Sequence, residues 1–582
     1  MLKLKNPKIK IFNFFQYLVP FWKEECLVLL LSLSSIVLGL VNPYLTKLII
    51  DKAYGDKDFK LFIILIAIGG IIFILNGVIT GLSGYLSEYI YLRINFGLNR
   101  QVFKKLQGLS YGVFQDGSTG QYLYNISYDV GTITHFVAAI LPQIICLIPK
   151  TLFILAIIFY LNWKMALFSL ILIPFFYVLP FYFINPLRKR IEVWIKNSEG
   201  IFIRLQEAFS HMQLIKAFGK ESNEMKGYVK NLKNNFRFSL KITKSEIVIS
   251  FTNSLASRII SGLIIFYGGY QVIRGKMTLG SFSAIALYFS QLSGLQNSFA
   301  YFLQEISRGL ISHNRLEGLF KMETRPIEKI EKEDVIFSKG EIEFKNVTFG
   351  YKKDKAIFEG LSFCIDGDSF IALVGPSGCG KTTMINLIAR LFKPLSGEIL
   401  IDGFNISEVK TDTFHKQIGI VLQEPFLWND TIENNIRYAK EDAAFGEIKE
   451  AARMACIEDF VNALPKGYST IIGENACKLS EGQKQRIAIS RALIKKPKLL
   501  ILDEAMSSLD SITETKIIKN IKEARKDITI IVVSHRLSTV MYADLAYFIN
   551  SPHGIAIGEP KALLERNKEF YNLFAAQLKE HL

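Results

Sequence analysis

Eight consecutive residues, Gly375-Pro376-Ser377-Gly378-Cys379-Gly380-Lys381-Thr382, have the make-up of a phosphate cradle. Glycines let backbone N–H groups close round an anion, the lysine brings a positive charge to the outer phosphate oxygens, and the threonine hydroxyl suits Mg2+. Thr383 follows and completes the candidate nucleotide-binding set. Further along, the apolar residues 499–502 run into Asp503-Glu504. Two carboxylates at the end of a buried strand have a natural division of labour: Asp503 to hold Mg2+ through water, Glu504 to polarise an attacking water as general base.

These groups need elements to carry them. Residues 371–374 read as a strand before the glycine loop and 384–391 as an apolar helix after it, so the loop would open onto a helix N-terminus, where unpaired N–H groups favour anions. Strand-like runs at 371–374, 499–502 and 528–533 alternate with helical stretches, the mark of an α/β domain with a largely parallel sheet. Such sheets bind ligands at the C-terminal edge of their strands.

The remainder of the chain is different in kind. Of 582 residues, half are hydrophobic and only 21% charged, below the quarter usual for a soluble domain, and the mean hydropathy is +0.25. Apolar runs at 26–50, 61–85, 136–160, 165–184, 247–273 and 282–303 are each long enough to cross a bilayer. The first is too long for a signal peptide and is expected to stay as a span. Six cysteines without a C-x-x-C pair make neither a disulfide framework nor a zinc site. The net charge of +16 is placed beside the apolar runs. Residues 186–245 carry 13 basic against 5 acidic side chains, and the N-terminal tail holds Lys3, Lys5, Lys8 and Lys10, which puts both on the cytoplasmic side. Arg274 and Lys276 go against this rule. Residues 9–22, with Phe12, Phe15, Tyr17 and Trp22, read as an interfacial helix before the first span. The excursions 86–135 and 185–246 read as helices continuing out of the membrane. Composition changes around Pro326, with Glu328, Lys329, Glu331, Lys332, Glu333 and Asp334 close together, and the domain boundary is expected there.

Leu479-Ser480-Glu481-Gly482-Gln483, followed by Arg486 and ending twenty residues before Asp503, fits the pattern L-S-x-G-Q. With it the chain resembles the ATP-binding cassette (ABC) transporters of exporter type. The resemblance implies further roles at matching positions. Tyr351, 24 residues before Gly375, would stack on adenine; Gln423 would touch Mg2+ and the water; Asp510 would lie in a loop that crosses a dimer interface; His535 would be the switch histidine on the γ-phosphate. It implies a sandwich in which each ATP is held by the glycine loop of one cassette and by Ser480 and Gly482 of the other, with Gln483 in the same signature. Glu207, Lys216, Phe218, Gly219 and Glu221 fit the second cytoplasmic excursion of such exporters, and Phe114, Asp116, Gly120 and Asp129 the first.

The implied fold is an all-α polytopic membrane domain with six transmembrane helices (1–320), a linker (321–340) and an α/β P-loop ATP-binding cassette (341–582). The implied function is ATP-driven export of an amphipathic or lipophilic substrate, whether drug, lipid or peptide. The implied partners are a second half-transporter chain, identical or a paralogue, and membrane lipids, with no nucleic acid. An ATP-gated regulatory membrane protein of the same architecture stands as the alternative, opposed by intact Glu504 and His535. A soluble nucleic-acid ATPase is opposed by the placement of the basic charge. The chain departs from the family at Gly473-Glu474-Asn475-Ala476, which lacks a second glycine, at Glu481 and at Met506 and Ser508. Arg258, Asn253 and Ser261 in the fifth run, and Gln291, Gln296, Asn297, Gln304 and Glu305 in or beside the sixth, are the intramembrane polar candidates.

Cys379 lies within the phosphate loop, between a helix N-terminus and Lys381, surroundings that favour a thiolate. Thiol alkylation is expected to block ATP hydrolysis and ATP to protect against it; equal inhibition of a Cys379→Ala protein in the same assay would overturn this.

Overall fold

The computed structural model describes residues 12–322, 334–352, 355–473, 476–524, 527–551 and 554–580. The linker residues Pro326 to Glu333 and the loop residues Glu474 and Asn475 lie outside the described residues, as do the side chains of Asp116, Gln296 and Asn297. The chain divides into two compact units, one drawn from 1–109 and 114–324, the other from 110–113 and 325–582.

The second unit is built on two sheets. A six-stranded sheet runs Gly554–Gly558, Leu545–Ser551, Phe370–Val374, Thr529–Val533, Leu499–Asp503, Ile418–Val421, parallel throughout except for the first, edge strand. Three of its four inner strands, Phe370–Val374, Leu499–Asp503 and Thr529–Val533, are buried at every position. Such continuous burial is what helices on both faces of a parallel sheet require. Alternate residues feed two cores: Ala372, Leu502 and Val532 point to one, Ile371, Ile501 and Ile531 to the other. A smaller antiparallel sheet, with Ile342–Phe349 between Phe358–Ile365 and Ser396–Ile401, packs on the second core.

The first unit is helical. Its long helices are Trp22–Leu48, Phe59–Gln107, Leu141–Leu161, Trp163–Ser210, Glu221–Ile273 and Leu279–Lys321, and each of the six apolar runs lies mainly on one of them. A short helix, Phe12–Leu18, precedes them. Among the described residues four stretches are long and apolar enough to cross a membrane: Phe14–Tyr54, Phe59–Gln107, Thr119–Leu161 and Glu221–Ile273. The 49 residues of Phe59–Gln107 reach about 73 Å at helical rise, more than twice the ~30 Å hydrocarbon layer, so the helix continues well beyond it. Polar side chains set where these helices begin. Asp58 accepts from Leu61 N, Asn162 from Lys164 N and Met165 N, and Thr278 from Ser281 N. Asp51, at the end of the first long helix, also accepts from Gly280 N at 2.8 Å and from the Thr278 hydroxyl at 2.6 Å. A side chain at Gly280 would collide with that carboxylate.

One ion-pair hub ties three helices of this unit. Arg315 Nε donates to Asp129 Oδ2 and its Nη1 to Glu199 Oε2, both at 2.9 Å, while Nη2 donates to Asn125 Oδ1 at 3.1 Å. Its guanidinium also lies over the Tyr124 ring at 5.4 Å. Asn125 and Asp129 are the two ends of a π-helical turn, and Asp129 is fully buried. Arg315→Met leaves two carboxylates without their cation and is expected to cost about 3 kcal/mol or more, read as a lowered unfolding midpoint of the detergent-solubilised protein. Adding Asp129→Asn should recover part of the loss; an unchanged midpoint in the single variant would show that the hub carries no stability.

Candidate functional site

Strand register brings the chemistry to one edge. Val533 pairs with Leu373 on one side and Asp503 on the other, and Leu502 pairs with Val421. The chain therefore leaves three neighbouring strands at the same level as the glycine loop, Asp503-Glu504 and Ser534-His535, with Leu422-Gln423 beyond the fourth. The loop then turns into helix Lys381–Ile388 through Gly378 (φ +83°) and Gly380 (φ +105°), a region that favours glycine. A Cβ on Gly380 would also come within 2.7 Å of the Phe358 ring. Lys381 is buried, and its Nζ donates to Gly375 O at 2.8 Å and Pro376 O at 3.1 Å, which fixes the cation at the centre of the loop. Ser377 is exposed and Cys379 half-buried on the same loop. Tyr351 sits beside this helix, its hydroxyl 3.2 Å from Thr383 Oγ1 and its ring edge-on to Phe392 with nearly half its surface exposed. That leaves an aromatic face near the loop on which a base can stack.

Asp503 and Glu504 are adjacent in sequence but not in environment. Asp503 is buried beside Thr382; burial pushes its carboxyl up to about 6, the Glu504 charge adds to this, and Lys381 and then the Thr382 hydroxyl oppose it. Glu504 has φ +48°, rare for a non-glycine residue. Its backbone N–H donates to Val533 O at 3.1 Å, and its carboxylate is held at both oxygens: Gln423 Nε2 donates to Oε2 at 2.8 Å and His535 Nε2 lies 3.2 Å from Oε1. Thr382, Asp503 and Gln423 supply hard oxygen donors, few in number, which fits Mg2+ arriving with phosphate and water as its other ligands.

Ser480, Gly482, Gln483 and Asp510 form a second cluster. Ser480 caps the helix Glu481–Leu493: its hydroxyl accepts from Gln483 N at 3.3 Å, and its own N–H donates to Gln483 Oε1 at 2.9 Å. The Gln483 side chain is thus engaged in the cap. Gly482 lies against Ser508, where a Cβ would come within 3.0 Å of its carbonyl oxygen. Asp510 accepts from Thr513 N at 2.8 Å, which starts the helix Ser511–Ala524 and holds its carboxyl below the usual range. The hydrogen bonds of this cluster go to its own cap and loop, and none among the described residues joins it to residues 375–382.

Two residues to which the sequence assigned no role connect these parts. Arg536 donates to Ser507 O, Leu509 O and the buried Glu514 carboxylate, each at 2.7–2.8 Å, joining the histidine loop to the loop carrying Asp510. Gln577, on the C-terminal helix Lys568–Glu580, donates to His535 O at 2.8 Å and accepts from Leu537 N at 2.7 Å. Arg536 could have been singled out as the neighbour of His535; Gln577 stands 42 residues from it and has no local signal.

In the helical unit, Lys216 pairs with Glu221 at 3.3 Å across the turn after the short helix Met212–Ala217, where Gly219 has φ +57°. Glu207 accepts His211 N through its carbonyl. Phe114 and Phe218 are exposed, and Gly120 is pressed against Ile203, within 2.9 Å of where its Cβ would stand. Arg258 is exposed and Ser261 half-buried, whereas Asn253 is buried. Gln291 Nε2 reaches Gly39 O at 3.4 Å, Gln304 is half-buried, and the buried Glu305 pairs with Arg308 at 2.9 Å.

Residues 26–296 match the model of the ABC transporter transmembrane region, and residues 358–507 match that of the ABC transporter. The chain is 32% identical to an ATP-dependent lipid A-core flippase of Syntrophus aciditrophicus, over 95% of this chain and 91% of that protein. It is 30% identical to the putative multidrug export ATP-binding/permease protein YgaD of Bacillus subtilis, over 97% and 99%. A solved structure of a bacterial Atm1-family ABC exporter with ATP bound superposes with a TM-score of 0.87 at 26% identity, covering 96% of this chain and 99% of that one. A glycine loop and paired carboxylates at one sheet edge, following a membrane region in a single chain, agree with each of these likenesses: the chain belongs to the ABC transporter family, as an exporter-type transporter whose ATPase domain is fused to its transmembrane domain.

Proposed function

We propose that two copies of this chain, or one and a close paralogue, clamp two ATP molecules between their cassettes and use hydrolysis to move an amphipathic or lipophilic cargo out of the cytoplasm. The observation that carries the reading is the Glu504 carboxylate, held between Gln423 and His535 beside the glycine loop. In this arrangement the loop N–H groups and Lys381 bind the phosphates, and Tyr351 stacks on the base. Glu504 accepts the proton of the attacking water, while Gln423 and His535 orient it and the γ-phosphate. Mg2+, when bound through Thr382, Asp503 and Gln423, would neutralise charge on the outer phosphates.

Ser480 and Gly482 lie at the start of a capped helix away from the loop of their own chain, which suits them to the γ-phosphate held by a second copy. Phe209, Leu214 and Phe218, exposed around the turn after Trp163–Ser210, make an apolar tip of the kind that docks into another protein surface. The reading includes six spans with the N-terminus and the cassette in the cytoplasm, and the six long helices and the basic stretch 186–245 support it. The named relatives are a flippase and an export protein, which favours pumping over a purely regulatory role.

Glu504→Gln keeps both the shape and the contact with Gln423 but cannot take a proton. ATP hydrolysis by the reconstituted protein should fall about 100-fold or more while nucleotide binding is retained; near-normal turnover would remove Glu504 from the base role. A second expectation follows from Asp503, whose carboxyl titrates near 6 and must be ionised to hold Mg2+. Above that pH the Mg2+ requirement of nucleotide binding should be flat. Below it the requirement should rise about tenfold per pH unit, after correction for protonation of ATP itself. A flat requirement from pH 5 to 7.5 would show that Asp503 does not hold the ion.

A further inference from the structure

Lys150, on the third long helix, is a cation inside an apolar run. It lies ten residues before Tyr160 and fourteen after Phe136, so about 15 Å and 21 Å of helix separate it from the ends of its apolar run. Thr80, Ser83 and Ser298, which share its cavity, stand within about 8 Å of the ends of their own runs at Tyr85 and Leu303, so Lys150 lies inside the apolar layer, in its cytoplasmic half. Among the described residues it has no hydrogen-bond or ion-pair partner, although a lysine at this depth ordinarily pairs or faces a polar cavity.

Lys150 does face such a cavity. A space of about 230 Å³ is lined by hydroxyls of Ser32 and Ser35 from the first long helix and Thr80 and Ser83 from the second, with Gln143 on the third. Ser32 and Ser83 stand 3.2 Å apart, as do Ser35 and Thr80, so the hydroxyls are already arrayed across two helices. No acidic side chain lines it. Glu25, buried near the start of the first long helix, is not in the wall. Leu147, Leu295 and Phe302 close the other side.

A second cavity continues along the same helices. It measures about 510 Å³ and is almost wholly apolar, lined by Val37, Leu40, Phe153, Ile157 and Tyr288 among others. Gln143, Leu147, Lys150, Phe153, Ile157 and Tyr160 succeed one another at three- and four-residue steps, so one face of the third helix runs from the polar cavity into the apolar one. Ser32, Ile36, Leu40 and Tyr44 do the same on the first. The smaller space falls below the volume of a drug-sized site and suits a head group; the larger suits an alkyl chain.

We propose that these two cavities, on successive turns of the same helices, together bind an amphiphile with an acidic head group, its phosphate or carboxylate on Lys150 and the serine and threonine hydroxyls, its hydrocarbon in the apolar space beyond. The inference rests on the export reading and names the class of cargo within it. The hydroxyls and Gln143 donate or accept as the head group demands, and Lys150 supplies the charge-assisted bond that selects an anion.

The test uses the full-length protein in nanodiscs of neutral phosphatidylcholine, with dodecyl phosphate as probe and dodecyltrimethylammonium, dodecyl maltoside and inorganic phosphate as comparisons. Binding is measured without nucleotide, and stimulation of ATP hydrolysis separately. Dodecyl phosphate should bind more tightly than the cationic or uncharged dodecyl compounds. Lys150→Met should weaken its binding about tenfold or more, the worth of one charge-assisted bond, while leaving dodecyl maltoside binding as it was. Lys150→Arg should retain binding, and Ser83→Lys added to Lys150→Met should restore it by returning a cation to the opposite wall. Equal binding of dodecyl phosphate to wild type and Lys150→Met would overturn the proposal. So would inorganic phosphate competing as well as dodecyl phosphate, which would leave no role for the hydrocarbon. Dodecyl phosphate that binds through Lys150 without any amphiphile affecting hydrolysis would keep the site and count against the export reading. Stimulation by uncharged amphiphiles alone would keep export and overturn the acidic cargo.

Discussion

In-register parallel pairing of four strands is the constraint on which the nucleotide site depends. Because Val533 sits between Leu373 and Asp503, the glycine loop, the two carboxylates and His535 all leave the sheet at one level. The strands can hold that register because both faces are buried, with alternate side chains committed to different cores. A slip of one residue would exchange the two sets and leave Ile531 and Val532 each facing the wrong core. Apolar packing with no chemistry of its own thus fixes the relative positions of groups that have chemistry.

The same edge resolves a conflict between neighbouring charges. Asp503 must stay close to the loop and Thr382, which buries it; Glu504 next to it must remain accessible to water. The left-handed turn at Glu504 separates them, at a cost of order 1–3 kcal/mol for a non-glycine residue. Three bonds offset that cost: its N–H to Val533 O, and its carboxylate to Gln423 and His535. His535 is positioned in turn by Gln577, which bridges the carbonyl of His535 and the N–H of Leu537, and the loop is tied through Arg536 to the segment carrying Asp510. The glutamate conformation is therefore supported by a chain of polar contacts that reaches the last helix of the unit.

What was legible in the sequence follows the range of the interactions involved. Residues 371–374, 499–502 and 528–533 read as strands because short runs of β-branched and aliphatic residues bounded by turns have few other uses, and the structure differs from them only by a residue at an end. The glycine loop is local, and so is its meaning. The cap at Ser480 is local too: Ser480 and Gln483 stand at the S-x-x-Q spacing of a capping box, a signal that lay unused beside the signature. Contacts made across long sequence separations left no such trace: Gln577 with His535, Arg315 with Asp129 and Glu199, and Asp51 with Gly280 each join elements brought together by tertiary packing alone. The polar residues of the fifth and sixth apolar runs attracted attention because charge is rare there, yet Glu305 proves to be paired within its own helix and Arg258 is exposed.

That outcome gives a physical rule for reading charge in a helical membrane unit. Placing a lysine or arginine near the centre of a spanning helix costs about 2.5–3.5 kcal/mol, so each instance must be offset by something. Arg308 and Arg315 lie beyond the end of the sixth apolar run and are answered inside the chain, Arg315 by two carboxylates, an amide and an aromatic ring and Arg308 by Glu305 one turn away; both serve the architecture. Lys150 has hydroxyls within its cavity but, among the described residues, no opposing charge in its wall, so its cost is not offset by that wall alone. Sequence hydropathy separates Lys150, inside an apolar run, from Arg308 and Arg315 beyond one, but in each case it registers that a charge is present and not what answers it. The distinction between a charge that builds the fold and one reserved for a ligand appears only once partners across helices are known.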